Sequence, residues 1–378
     1  MFLIIFAITA CSFAVSMLII RYAHLHRHIT SNHPARGPQQ SHIGSTPRIG
    51  GISIILGMLL GMTLLCSKFN ISWQTGMMWL AAAAPVFLAG LAEDFTNKIG
   101  ARWRLLAAFT SAAIGVWLMN AQFAHLSIAG VDQLLMISPL FSIALTIFAV
   151  GGVCHSMNII DGYNGLVGGV SSIILVALGF ISWKVGDVEL YVVSISAVAS
   201  VVGFLFWNYP RGLIFAGDGG AYLLGFIIAE VSVLLVSRHP EVSPWFPLML
   251  VIYPVWETLF SIYRRKIIKG QSSALPDALH LHQILFSRVV RWMVGKQGAK
   301  HLLKRNSLTT PYLWGMGIVT VSPALAFWQN TPVLQFCCLC FAVMYVWLYS
   351  RIVRFKSPRW MMLRSKKINT GDSKGQSS

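Results

Sequence analysis

The sequence predicts an all-α, polytopic integral membrane protein with about eleven transmembrane helices, and three observations carry that prediction. Of the 378 residues, 56% are hydrophobic and only 11% are charged, with a mean hydropathy of +0.66. That balance is too apolar for a soluble fold of this length. Apolar runs of about 20 residues, the length that crosses about 30 Å of hydrocarbon, recur along the whole chain. The Lys and Arg residues, finally, alternate between rich and poor loops.

The runs lie at about 1–20, 49–67, 76–92, 105–120, 139–156, 166–182, 189–207, 221–237, 245–263, 312–328 and 332–350. Segments that follow odd-numbered runs hold 26 of the 29 basic residues, and the opposite face has only Lys68, Lys184 and Arg238. Cytoplasmic loops carry the Lys and Arg excess, so the amino terminus is expected outside and the carboxyl terminus inside. The net charge of +17 therefore reflects topology, with some attraction for anionic headgroups or an anionic substrate, and is no signal for nucleic acid. A single transmembrane domain is expected over 1–356, followed by a basic, then Ser- and Gly-rich tail, 357–378, expected to be disordered. No basic residue precedes the first run and the positive loop follows it, so it reads as a retained span and not a cleaved leader. The six cysteines lie in or beside the runs and show no zinc-like spacing; they read as small buried hydrophobes.

The polar stretches follow in chain order. Before the second run, Pro47-Arg48-Ile49-Gly50-Gly51 marks a break with Arg48 at the membrane edge, an anchor that also suits an anion. The third run ends in Glu93-Asp94, with Asn97-Lys98 just beyond. Two acids at a helix carboxyl end, where the macrodipole already favours positive charge, suit a divalent cation. Between the fifth and sixth runs, residues 157–169 read Met-Asn-Ile-Ile-Asp-Gly-Tyr-Asn-Gly-Leu-Val-Gly-Gly. Here Asn158, Asp161 and Asn164 recur every third residue, where one helix ends and the next begins at Leu166. Carboxamide and carboxylate oxygens gathered there would hold a cation or a phosphate.

Gly217-Asp218-Gly219-Gly220 leads into the eighth run. Its glycines allow close backbone approach, the free amides at the helix start suit an anion, and Asp218 reads as a metal ligand or a helix cap. Glu230 and Glu257 lie inside runs, where an ionisable group is costly and is by default a functional candidate; a hydrogen bond between helices is the plainer alternative. The longest loop opens with Arg264-Arg265-Lys266 and continues to Pro276-Asp277-Ala278-Leu279-His280-Leu281-His282-Gln283. Its arginines offer phosphate recognition, and the two histidines could donate to a diphosphate. From 284 to 303 apolar and basic residues mix, as in an amphipathic helix on the inner leaflet.

Glu93, Asp94, Asp161, Asp218 and Asp277 all fall on the basic face. A transport pathway would more often place its polar groups near the midplane; here they line one rim, where a water-soluble nucleotide and a lipid headgroup could meet. Bringing two phosphate charges to about 4 Å costs about 4 kcal/mol at an effective dielectric near 20, which acids holding a metal and arginines would offset. That is the chemistry of phosphoryl transfer.

Four motifs, Glu-Asp-x-x-Asn at 93–97, Asn-Ile-Ile-Asp-Gly-Tyr-Asn-Gly-Leu at 158–166, Gly-Asp-Gly-Gly-Ala-Tyr at 217–222 and Pro-Asp-Ala-Leu-His-Leu-His at 276–282, together carry a resemblance. In this the chain resembles the polyprenyl-phosphate N-acetylhexosamine-1-phosphate transferases, or glycosyltransferase family 4, membrane enzymes that start O-antigen, teichoic acid and related glycans. The resemblance covers all eleven runs in the same order and topology. It implies transfer of a HexNAc-1-phosphate from a UDP-N-acetylhexosamine to undecaprenyl phosphate with release of UMP. The cofactor implied is Mg2+, or Mn2+ in its place. The setting implied is a bacterial inner membrane with the active site cytoplasmic, and a homodimer is allowed.

By position, Asp218 and Asn158 resemble the metal ligands and Asn164 a contact to the uridine. Asp94 with Glu93 resembles the acidic pair that deprotonates or orients the lipid phosphate, and Arg104 its basic partner. Asp161 resembles a family acid of catalytic standing. His280 and His282 resemble the motif that grips the sugar diphosphate, with Arg264, Arg265 and Arg48 as further anion contacts. Glu93 and Asn97 stand where the family has acids, and Gln283 where a further histidine is common. A lipid-linked sugar transporter or flippase is the alternative, which would move substrate without making UMP; a scaffold without activity is a third.

Overall fold

The protein, described as a computed structural model over residues 1–30, 46–268, 279–290 and 299–354, is built of helices packed on helices. No β-strand occurs among the described residues. Asp277 and the 357–378 tail lie outside them. In chain order the helices are α1 (Phe2–Arg21), α2 (Ala23–Thr30), α3 (Gly51–Phe69), α4 (Trp73–Thr96), α5 (Ala101–Met119), α6 (Val131–Ile137) and α7 (Pro139–Ile160). They continue with α8 (Leu166–Lys184), α9 (Val188–Asn208), α10 (Gly217–Arg238), α11 (Trp245–Tyr263), the short α12 (Leu281–Ile284), α13 (Ala299–Ala326) and α14 (Thr331–Val353). Each expected run falls on one long helix. Among the described residues nine helices are long and apolar enough to cross a membrane. The other two long helices, α5 and α13, begin with polar turns: Arg102 and Arg104 in one, Lys304, Arg305 and Asn306 in the other.

The distribution of side chains is that of a multi-pass membrane protein. Large apolar groups such as Phe2, Trp117, Phe148, Phe206 and Phe336 point outward, while Ser12, Ser16, Ser53, Ser194, Ser196 and Ser200 are buried between helices. Lipid tails are as apolar as Leu, so helices associate through small residues and hydrogen bonds instead. The Ser16 to Ser53 hydrogen bond of 2.8 Å between α1 and α3 is one such link.

Helix ends follow local chemistry. Ser72 caps α4 by accepting from the Gln74 amide at 3.2 Å. Asn70, Asn97 and Asn120 end α3, α4 and α5 in the left-handed conformation, with φ of 54°, 52° and 55°, which Asn adopts more readily than most residues. Asn97, read from the sequence as a replaced acid, is therefore a helix cap: its amide donates to the Glu93 carbonyl at 2.8 Å.

The centre of the bundle is α10, buried at every residue from Gly217 to Val236. It packs against α3, α4, α5, α7, α8 and α9. Small residues let its first turn sit close to its neighbours: a Cβ on Gly90 of α4 would lie 2.6 Å from the Gly219 nitrogen, and one on Gly51 of α3 would lie 2.5 Å from that of Gly220. Asp218 is thus carried on the most enclosed element of the fold.

Candidate active site

The amino terminus of α10 is built by three separated segments. The Phe215 amide donates to the Pro47 carbonyl at 2.9 Å, the Gly50 amide to Phe215 at 2.9 Å, and the Gly51 amide to Ala216 at 2.8 Å. This stitching brings Arg48 beside the helix start. Gly217 turns the chain with φ +70°, and a side chain there would overlap both the Arg48 carbonyl and the Asp94 carboxylate. From α4, Asp94 accepts the Asp218 amide on Oδ1 at 2.8 Å and the Gly219 amide on Oδ2 at 2.9 Å. Its exposure is 2%. An anion belongs at a helix amino terminus, where unpaired amides and the macrodipole both favour it.

Asp218 projects from that turn into a charged cluster. Its Oδ1 accepts from Asn158 Nδ2 at 2.7 Å, its Oδ2 pairs with the Arg104 guanidinium, and Arg48 lies 3.6 Å from it and 3.9 Å from Asp94. Arg104 is braced by the Tyr222 ring, 5.7 Å below its guanidinium carbon, and the Tyr222 hydroxyl pairs with His155 Nδ1 at 3.0 Å. Asp161 caps α7, its amide donating to the Asn158 carbonyl at 3.2 Å. Its carboxyl is pushed up to about 7, first by burial and then by the negative charge of Asp218, with Arg48 pulling the other way. Three carboxylates and two arginines thus share one enclosed rim. Tyr222 and His155 were not expected there. Tyr222 lies four residues after Asp218 and His155 three before Asn158, so helical spacing put each on its partner's face.

The histidines join the other side of the same Asn-rich turn. His282 is buried, lies edge-on to Tyr163 with centroids 5.6 Å apart, and stacks parallel to His280 at 5.2 Å. A Cβ on Gly162 would be 3.7 Å from its Nε2. The 158–164 turn therefore touches both groups, Asn158 in the acid and arginine cluster, Gly162 and Tyr163 against the histidines. Burial raises the Tyr163 phenol well above its ordinary value, so the ring stays neutral.

Several expected contacts take a different place. Asn164 is 0% exposed; its amide donates to Asn306 at 2.8 Å, its Nδ2 to the Pro210 carbonyl at 2.9 Å, and its carbonyl accepts the Thr310 hydroxyl at 2.6 Å. It is a buried junction between loops, where the sequence suggested a contact to the uridine. Asn208 does similar work, accepting the Gly165 amide and donating to the Ile214 carbonyl. Glu93 accepts the Ile99 amide at 2.5 Å. Arg264 is buried and donates to the Leu279 carbonyl and the Tyr349 hydroxyl, each at 2.6 Å, so it holds the histidine segment. Arg265, beside it, is also buried. Glu230, at 0% exposure, faces Gly115 of α5, and its oxygens meet no hydrogen-bond partner among the described residues.

Among the described residues no three His, Cys, Asp or Glu side chains come close enough to hold a metal by themselves. Magnesium, however, takes oxygen ligands and usually combines one or two carboxylates with substrate phosphates. The Asp218 carboxylate and the Asn158 carbonyl oxygen fit a hard ion held jointly with a phosphorylated substrate.

A rim of carboxylates and arginines in a helical membrane bundle has the chemistry suited to phosphates beside a lipid phase. Known proteins share part of this arrangement. Residues 76–236 match the profile of glycosyl transferase family 4, a segment that holds Asp94, Arg104, Asn158, Asp161 and Asp218. The chain is similar to the undecaprenyl-phosphate alpha-N-acetylglucosaminyl 1-phosphate transferase of Escherichia coli strain K12, 29% identical over 262 residues, covering 65% of this chain and 67% of that one. It is 27% identical over 254 residues to the Thermotoga maritima protein of the same description, covering 67% and 72%. It is 28% identical over 243 residues to a probable undecaprenyl-phosphate N-acetylglucosaminyl 1-phosphate transferase of Bacillus subtilis, covering 64% and 66%. The likeness to glycosyl transferase family 4 thus runs through the segment that carries the acid and arginine cluster.

Proposed function

We propose that the protein transfers a HexNAc-1-phosphate from a UDP-sugar to undecaprenyl phosphate at the cytoplasmic face of a bacterial inner membrane, releasing UMP and starting a lipid-linked glycan such as O-antigen. The observation that carries this reading is the Asp218 cluster: a carboxylate at a helix amino terminus, bonded to Asn158 and flanked by Arg48 and Arg104. The orientation rests on the basic loops, with eleven crossings, the amino terminus outside and the carboxyl terminus inside.

In the reaction an oxygen of the lipid phosphate attacks the sugar-bearing β-phosphorus. A new P–O bond forms, the bond from that phosphorus to the bridging oxygen breaks, and UMP departs with the electron pair. A phosphate monoester has a second pKa of about 6, so at neutral pH the nucleophile is already ionised and needs no strong base. The main obstacle is repulsion between phosphates. Arg48 and Arg104 counter it, and positioned cations of this kind act most strongly on charge that develops in the transition state. Asp218 and Asn158 would hold Mg2+ or Mn2+, which when bound supplies further neutralisation of the phosphates. Asp94, with both oxygens taken by amides of α10, acts by fixing the turn that carries Asp218. His280 and His282 lie where the donor diphosphate would be gripped.

The deciding measurement is UMP release by purified protein from UDP-GlcNAc and undecaprenyl phosphate. Asp218→Asn should lose activity by at least about 100-fold while eluting as folded protein in detergent. Full activity in that variant would defeat the assignment, and movement of lipid-linked sugar without UMP would favour a flippase.

A further inference from the structure

Glu257 lies on α11, within a span, and is 1% exposed. A carboxylate that deep is costly unless its oxygens are satisfied, and here three donors converge on it. The Leu281 amide donates to Oε1 at 2.7 Å, His280 Nδ1 lies 3.2 Å from the same oxygen, and the Tyr345 hydroxyl of α14 donates to Oε2 at 2.8 Å. One residue earlier the Leu279 carbonyl accepts from Arg264 at 2.6 Å and from the Tyr349 hydroxyl at 3.1 Å. Residues 279–281 are thus gripped at a carbonyl and an amide by side chains from α11, from Arg264 just beyond it, and from α14. Glu257 also contacts the histidine ring itself. With Nδ1 turned toward the carboxylate, Nε2 is the ring nitrogen left to meet a phosphate oxygen. The parallel stack of His280 on His282 then carries that orientation to the ring that touches Tyr163 and Gly162.

We propose that Glu257 is a positioning residue that orients His280, and through the stack His282, toward the diphosphate of the nucleotide sugar. The inference rests on the reading of the site as a UDP-sugar transferase site. Oriented partners behind a ligand-binding histidine typically change affinity or activity by about 10- to 100-fold, and Glu257 has the geometry of such a partner. It acts behind the ring and not on the substrate; its effect passes through His280.

The test is a double-mutant cycle on the full-length protein, with UDP-GlcNAc and undecaprenyl phosphate as substrates. Glu257→Ala should raise KM for UDP-GlcNAc by about 10-fold with a smaller change in kcat. Glu257→Gln, which keeps an oxygen for the Leu281 amide and a hydrogen-bonding group for Tyr345, should recover most of that loss. In a His280→Ala background Glu257→Ala should add less than about 2-fold, because coupled residues are not additive. The proposal is overturned if folded Glu257→Ala keeps the wild-type KM, or if the two single effects multiply in the double variant. Should Glu257→Ala fail to fold, Tyr345→Phe, which removes one donor to the same carboxylate, is expected to raise KM by a smaller factor, and an unchanged KM there is the overturning result. Calorimetric binding of UDP gives the same comparison when no transfer is detected, so wild-type protein that makes no UMP counts against the reaction. Equal UDP affinity in wild type and Glu257→Ala counts against Glu257.

Discussion

Asp94 and Asp218 illustrate how two acids drawn to one site take unlike roles. Asp218 presents its oxygens to side chains, whereas both Asp94 oxygens accept amides of the α10 turn. Replacing Asp94 with Ala should lower stability by about 2 kcal/mol, since a lost cap leaves buried amides unpaired. Asp94→Asn keeps one acceptor oxygen, so activity and thermal stability should fall together and in part. An Asp94→Asn enzyme with wild-type stability and no activity would instead mark Asp94 as a base. Asp161 gives a pH signature. Its carboxyl sits at about 7 against an ordinary value of 3.8, so between these values the unfolded chain has given up a proton that the folded one keeps. Stability from this group is full below about 4 and declines as pH rises through 7. In metal-free buffer, thermal unfolding of Asp161→Asn should lack that part of the decline, and identical pH profiles for the two proteins would contradict the assignment.

At the scale of the element, the site depends on how closely α3 and α4 approach α10. Gly90 meets the backbone of Asp218 and Gly219, so a larger residue must push α4 away and take Asp94 with it. Gly90→Ala should cost about 1–3 kcal/mol through overpacking, and Gly90→Leu should yield little folded protein. Gly152 on α7 has open space where a Cβ would go, and Gly152→Ala should be neutral or stabilise by up to about 1 kcal/mol, as a helix-interior Gly to Ala exchange does. Melting temperatures in detergent check both. The same scale explains Asn97: a residue that can take a left-handed conformation was needed to end α4 and turn the chain toward Arg104, and an aspartate is not required for that.

The whole molecule gathers its polar chemistry at one end of the bundle, away from the Asp187, Glu189 and Arg238 cluster, where Arg238 lies 3.0 Å from Glu189 and 3.3 Å from Asp187. In the orientation proposed from the basic loops, that second cluster would face away from the cytoplasm. In a variant cleared of native cysteines, Gly186→Cys should react with a membrane-impermeant maleimide in intact cells, and Asn97→Cys only after permeabilisation. The opposite pattern would invert the topology and with it the face on which the nucleotide is met.

The sequence by itself determined the helical class, the positions of the long helices and the identity of the cluster around Asp218, because lipid demands continuous apolar helices and leaves scarce charges conspicuous. Its motifs also carried the resemblance to glycosyl transferase family 4. Only the tertiary structure decided which helix is central, that Asp94 caps α10, that Asn164 and Arg264 hold loops together, and that Glu257 stands behind His280. Those assignments depend on which donor meets which acceptor across fifteen or more residues of chain, and in an apolar bundle such pairings follow from the packing of small residues between helices, which no local periodicity records.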